Sequence, residues 1–157
     1  NNGSHMIDMI RMLFGEIDDY HKLNHINEFV EGPINGDKNI GFILNTRKGI
    51  PVVFSPVKFC FYRENGIIIY GERGRLDLLN EGISNKFCPS QPSRSTTGSN
   101  EVSYENFKNL KNVSELGFLS MYDNLLEAID NKSSLFCDGE SALKNEKIIE
   151  NLLKNWQ

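Results

Sequence analysis

Residues 59–79 read FCFYRENGIIIYGERGRLDLL. Phe59 and Phe61 alternate with Cys60 and Tyr62, the period of a strand. Glu64-Asn65-Gly66 follows as a turn, where glycine permits a positive φ. Ile67-Ile68-Ile69-Tyr70 is β-branched and aromatic, and too short for a helix. Gly71-Glu72-Arg73-Gly74 breaks the run, and Arg75 to Leu79 resumes it with Leu76 and Leu78. The stretch predicts two adjacent strands and the start of a third. Its nearly continuous apolar run asks for cover on its faces.

Working outward, Ile40 to Thr46 predicts a strand, Arg47-Lys48-Gly49 a hairpin turn, and Ile50 to Phe54 the returning strand. Ser55-Pro56 then puts a proline at an edge or bulge. Glu31-Gly32-Pro33 and Asn35-Gly36-Asp37 are turn clusters. Tight turns imply antiparallel neighbours, since parallel ones need long crossovers. The sum is an open, mostly antiparallel sheet of about five or six strands.

Glu81 to Val102 lacks periodicity and predicts a long loop, with Arg94 among Ser and Thr hydroxyls as a candidate contact for an anionic substrate group. Val102 to Phe107 adds a further edge strand. Ser114 can cap a helix with the stripe Leu116, Leu119, Tyr122, Leu126 and Ile129, closed by Asn131 to Ser134. Asp138 caps a last helix with the stripe Ala142, Leu143, Ile149, Leu152, Leu153 and Trp156. Both stripes read as core. Helix, strands, loop and two helices make an α+β domain with the helices on one face of the sheet.

The chain has 157 residues, enough for one domain that buries about 70% of its unfolded surface. Its net charge is −4, with both signs interspersed, which argues against nucleic acid or a basic membrane surface. No apolar run has membrane-spanning length and no signal segment precedes the domain. Cys60, Cys88 and Cys137 are far apart and lack CxxC spacing. They read as reduced thiols of a cytoplasmic protein, with Cys60 and Cys137 as small core residues. His21 and His25 are four apart, but no third ligand stands near. A solvent-facing strand is the better home for them than a metal site.

Met6, Ile7, Ile10, Leu13 and Phe14 recur at helical spacing, and Gly15 stops the helix. Gly3 to Met6 also matches the scar left by removing a purification tag. The preceding Asn1-Asn2 and the helical pattern running through the segment favour a native one. His5 then lies in the first helical turn, with Asp8 three residues on. The positive end of the helix dipole favours a neutral imidazole, which can accept a proton from a hydroxyl. The plainer alternative is an exposed polar pair.

Three pieces in order resemble the C-terminal domain of the glucose-fructose oxidoreductase and inositol dehydrogenase-like (Gfo/Idh/MocA) family. They are Asn1-x-Gly3-x-His5-x-x-Asp8 running into Arg11 to Gly15, then Ile69 to Leu76, then the final helix pair with Asp138-Gly139-Glu140-Ser141-Ala142-Leu143 between them. The resemblance implies a substrate-binding and oligomerisation domain over residues 1–157, with a separate N-terminal Rossmann domain that binds most of the NAD or NADP. It implies that His5 takes part in proton transfer from a sugar, nucleotide sugar or polyol hydroxyl. Asn1 and Asp8 would be substrate-binding or positioning groups. Some members carry an aspartate where this chain has Asn1, which cannot be a base. The family's catalytic lysine has no match here, and no G-x-G-x-x-G loop joins a strand to a helix. The fragment alone is therefore not expected to be active. Association of copies through the open sheet face is the other implication, and a non-catalytic dimerisation or binding domain is the alternative function.

Overall fold

The structure is a computed structural model, and it describes residues 2–23, 30–31, 38–57, 61–113, 116–130 and 132–154. The chain divides into two compact units, residues 1–63 with 135–157, and residues 64–134. The α+β class and the antiparallel pairing agree with the sequence reading. The strands are shared among separate sheets rather than gathered in one.

The first unit opens with helix α1 (Asn2–Phe14), which runs through the Gly3 to Met6 segment. Gly15 ends it with φ +94 and a backbone N–H that donates to the Arg11 carbonyl. Strands β1 (Ile17–Lys22), β4 (Phe42–Thr46) and β5 (Pro51–Phe54) form an antiparallel sheet in the order β1-β4-β5. Between them the two-residue strands β2 (Val30–Glu31) and β3 (Lys38–Asn39) pair with each other. The hairpin at Arg47-Lys48-Gly49 forms as expected, with Gly49 at φ +75 and the Thr46 hydroxyl accepting the Ile50 N–H. In β4 the alternation buries Phe42, Leu44 and Thr46 on one face. Helix α3 (Gly139–Lys154) closes the unit, and Asp138 caps it by accepting the Ser141 N–H at 2.8 Å.

The core of this unit is Ile7 from α1, Phe42 and Leu44 from β4, and Leu152 from α3. Ile17, Tyr20, Val52, Phe54, Ile148 and Ile149 pack around it. The cross-strand pair Phe42 and Phe54 stacks with ring centroids 4.2 Å apart. Leu44 is 0% exposed, and burying such a side chain contributes about 2 kcal/mol. The expected stripe of α3 holds in its second half, where Leu152 is in the core and Ile149 packs against it, but not in its first. Ala142 and Leu143 are exposed, and the inward face runs through Asn145, Ile148 and Leu152. On α1, Arg11 rather than Leu13 is buried beside Ile7 and Ile10. Trp156 lies outside the described residues.

The second unit is a five-stranded antiparallel sheet with one helix. Strands β6 (Gly66–Gly71), β7 (Gly74–Leu79), β8 (Ser84–Pro92) and β10 (Lys108–Asn109) lie in the order β10-β8-β7-β6, and β9 (Asn100–Val102) also pairs with β8. The Glu72-Arg73 turn joins β6 to β7 as expected. Gly74 has φ +141, and a Cβ there would strike the Cys88 carbonyl oxygen and come within 2.9 Å of the Pro89 Cα. Only glycine fits that approach. Gly66 plays a different part from the one expected. Its φ is not positive, but a Cβ would lie 2.7 Å from the Leu78 carbonyl oxygen, so it allows the close start of β6 against β7.

Three expectations are corrected here. Phe61 and Tyr62 are not in a strand. Phe61 sits in a turn, 76% exposed, and residues 58–60, with Cys60, lie outside the described residues. Glu81 to Val102 is not a long loop, because Ser84 to Pro92 is the longest strand among the described residues. Its Ser, Asn, Lys and Gln residues hide it, since its hydrogen bonds to β7 depend on the backbone and not on apolar side chains. The stripe on α2 (Gly117–Ile129) is not core: Leu116, Leu119, Tyr122, Leu126 and Ile129 are all exposed. The buried residue of that helix is Asn124, whose amide donates to the Ser134 carbonyl at 2.9 Å. Ser114 and Asn131 lie outside the described residues.

Candidate functional site

Helix α1 carries two of the candidate residues. His5 is on its exposed side, and Asp8, one turn on, is half-buried. Asn1 lies outside the described residues. Asp8 turns toward α3. Its Oδ1 accepts the Asn145 amide at 2.8 Å and lies 3.7 Å from Arg11 Nη1. Desolvation, and then the nearby Asp8 charge, push the Cys137 thiol's pKa up.

Arg11 stands one further turn along, 7% exposed, and joins three parts of the unit. Its Nε and Nη2 donate to the two oxygens of Glu16 at 3.1 and 2.9 Å, a fork-to-carboxylate pair. Its Nη1 donates to the Ser141 carbonyl at 2.9 Å and to Asn145 Oδ1 at 2.8 Å. The hydrogen bond from Arg11 holds the Glu16 carboxyl below the usual range. A polar cleft of about 240 Å³ opens beside this network, lined by Arg11, Glu16, Phe136, Asp138, Ser141 and Lys144.

The sequence reading did not single out Arg11 or Asn145, although the signal was there. Arg11 is four residues from Ile7, and Asn145 lies three from Ile148 and seven from Leu152, so each occupies an apolar position of its helix. Cys137, expected in the core, is exposed, and of the two described cysteines Cys88 is the buried one. His21 is on strand β1, exposed, with Nε2 2.6 Å from Asp19 Oδ2, while His25 lies outside the described residues.

Arg94 belongs to the second unit. It is exposed, and its Nη2 pairs with Glu105 at 2.7 Å, which holds the Glu105 carboxyl low. In the same unit Arg75 donates to both Asp77 oxygens and stands over the rings of Tyr70 and Tyr104 at 5.7 and 5.9 Å. Among the described residues no three His, Cys, Asp or Glu side chains converge as a metal would require. Gly71-Glu72-Arg73-Gly74 joins two strands, so it is not the strand-to-helix loop that cradles a dinucleotide's phosphates. Among the described residues, no helix is long and apolar enough to cross a membrane.

The first unit thus carries a histidine on the outer side of a helix that Arg11 anchors to α3. The chain belongs to the oxidoreductase family as its C-terminal alpha/beta domain, matched over residues 1–157. It is similar in fold to the crystal structure of an NAD-binding protein from Listeria innocua, with a TM-score of 0.60 and 14% identity. That likeness covers 98% of this chain and 47% of the other, so the chain spans about half the length of that protein. At this identity it shows the fold alone. No curated protein matches the chain.

Proposed function

We propose that this domain forms the substrate side of an NAD- or NADP-dependent oxidoreductase acting on a sugar, nucleotide sugar or polyol hydroxyl, with His5 as its proton acceptor. The observation that carries the reading is the exposed His5 on a helix whose opposite side is fixed by Ile7, Ile10 and Arg11, in a chain that matches the family throughout. A nicotinamide, held mainly by a separate Rossmann domain, would accept the hydride from the carbinol carbon. His5 takes the hydroxyl proton that must leave as the hydride departs. Asn1 binds a substrate hydroxyl. Asp8 supports the helix. A reducing, cytoplasmic setting fits the free thiols of Cys88 and Cys137.

The test uses the full-length protein with NAD and NADP against a panel of sugars, nucleotide sugars and polyols, read by nicotinamide absorbance. On the best substrate, His5→Ala should lower turnover by about 100-fold or more. Near-normal turnover would remove His5 from the mechanism.

The second reading, association of copies through the open sheet, draws on Ile68 and Tyr70, which are exposed on the edge strand β6. Sedimentation at micromolar concentration should show a dimer or larger species, and Tyr70→Lys should dissociate it. A monomer at every concentration would discard this reading.

A further inference from the structure

Asn145 is 6% exposed, and with Arg11 it places polar groups where the α1–α3 seam has apolar spacing. Well-packed apolar residues would hold two helices at least as firmly. An apolar seam cannot select one axial register, because side-chain ridges repeat with each helical turn, about 5.4 Å. A directional chain of hydrogen bonds can. Arg11 Nη1 donates to Asn145 Oδ1, and Asn145 Nδ2 donates to Asp8 Oδ1, each at 2.8 Å. Arg11 also spans Ser141 on α3 and Glu16 beyond the end of α1. Any slip leaves a buried guanidinium and a buried amide without partners.

We propose that Arg11 and Asn145 are positioning residues, which lock α1 to α3 through Asp8 at one height and rotation and thereby set the place of the His5 imidazole. The inference rests on the reading of His5 as the base. His5 is three residues from Asp8, about 4.5 Å along the axis, so the lock acts one turn from the group it positions. A one-turn slip would carry the imidazole far beyond the tolerance of proton transfer, where an error of about 1 Å already costs about 100-fold. Asp8 therefore serves His5 through the placement of the helix.

The experiment exchanges the two partners in the full-length enzyme. Asn145→Asp sets a second carboxylate against Asp8 and removes the donor between them. It should lower kcat by about 100-fold, leave KM within about twofold, and speed amide exchange in α1 by about tenfold while exchange in β7 and β8 stays unchanged. Combining Asn145→Asp with Asp8→Asn restores the pair in reverse, since the amide at position 8 can donate to the carboxylate at position 145. That double variant should recover kcat to within about threefold. If Asn145→Asp does not fold, Arg11→Lys serves in its place: it keeps the charge and loses the fork, with the same expected split between kcat and KM. Unchanged α1 exchange in the single variant, or no recovery in the double, would overturn the lock. If His5→Ala leaves kcat intact while the exchange results hold, the failure lies with the base assignment and not with the lock.

Discussion

The two units solve the same stability problem differently. The first brings two helices onto three strands and buries Ile7, Phe42, Leu44 and Leu152 in one cluster. The second has the longer strands, yet its buried residues, among those described, are Gly74, Asp77, Cys88, Ser103 and Asn124, while the apolar side of α2 stays exposed. Its cohesion comes from the β6-β7-β8 ladders and from polar pairs such as Arg75 with Asp77. The contrast teaches that strand length and core formation are separate matters. A ladder satisfies backbone groups, whereas a core needs elements that arrive from a third direction.

The sharpest way to break this contrast is to empty the same volume in each unit. Leu44→Ala should cost about 2–5 kcal/mol in denaturant unfolding, because its cavity lies inside a closed cluster. Leu126→Ala, at a site 63% exposed, should cost less than about 0.5 kcal/mol. Comparable costs would mean that α2 is covered in solution and that the contrast is false.

Next in size, Gly74→Ala should cost about 2 kcal/mol or more, through the collision with the Cys88 carbonyl and the φ of +141. The loss should appear as faster amide exchange in β7 and β8, with α1 and β4 unaffected. Spread of the effect into the first unit would show that the two unfold as one.

The smallest effect is electrostatic. The Glu16 carboxyl is held low by its hydrogen bonds from Arg11 and then by that residue's charge. A depressed folded pKa adds stability that is present above the unfolded glutamate value of about 4.3 and lost as pH falls through the lower folded value. The side chain is partly open to solvent, so the contribution is at most about 1 kcal/mol. Glu16→Gln should flatten the acid limb of thermal stability for the first unit only. An unchanged acid limb would show that the pair contributes nothing to folding.

Much of the first unit was legible because its signals are local. Gly15, the Arg47 to Gly49 hairpin and the Asp138 cap each act through backbone geometry within a few residues. The candidate site was half legible. His5 stands out by residue type within its motif. Arg11 and Asn145 stand at apolar positions, where polar residues look like interruptions of a stripe until a partner helix satisfies them.

The sequence by itself determined the α+β class, the antiparallel pairing, the turns at Arg47 to Gly49 and Glu72-Arg73, and the end of α1 at Gly15. These rest on period, glycine and capping chemistry, which the chain carries wherever it folds. Only the tertiary structure decided that Ser84 to Pro92 is a strand, that the apolar face of α2 is left open, and that Asp8 turns to Asn145. A strand's hydrogen bonds need a neighbour, a buried face needs a second surface, and a buried polar group needs a partner from elsewhere in the chain. None of these is a property of one segment alone.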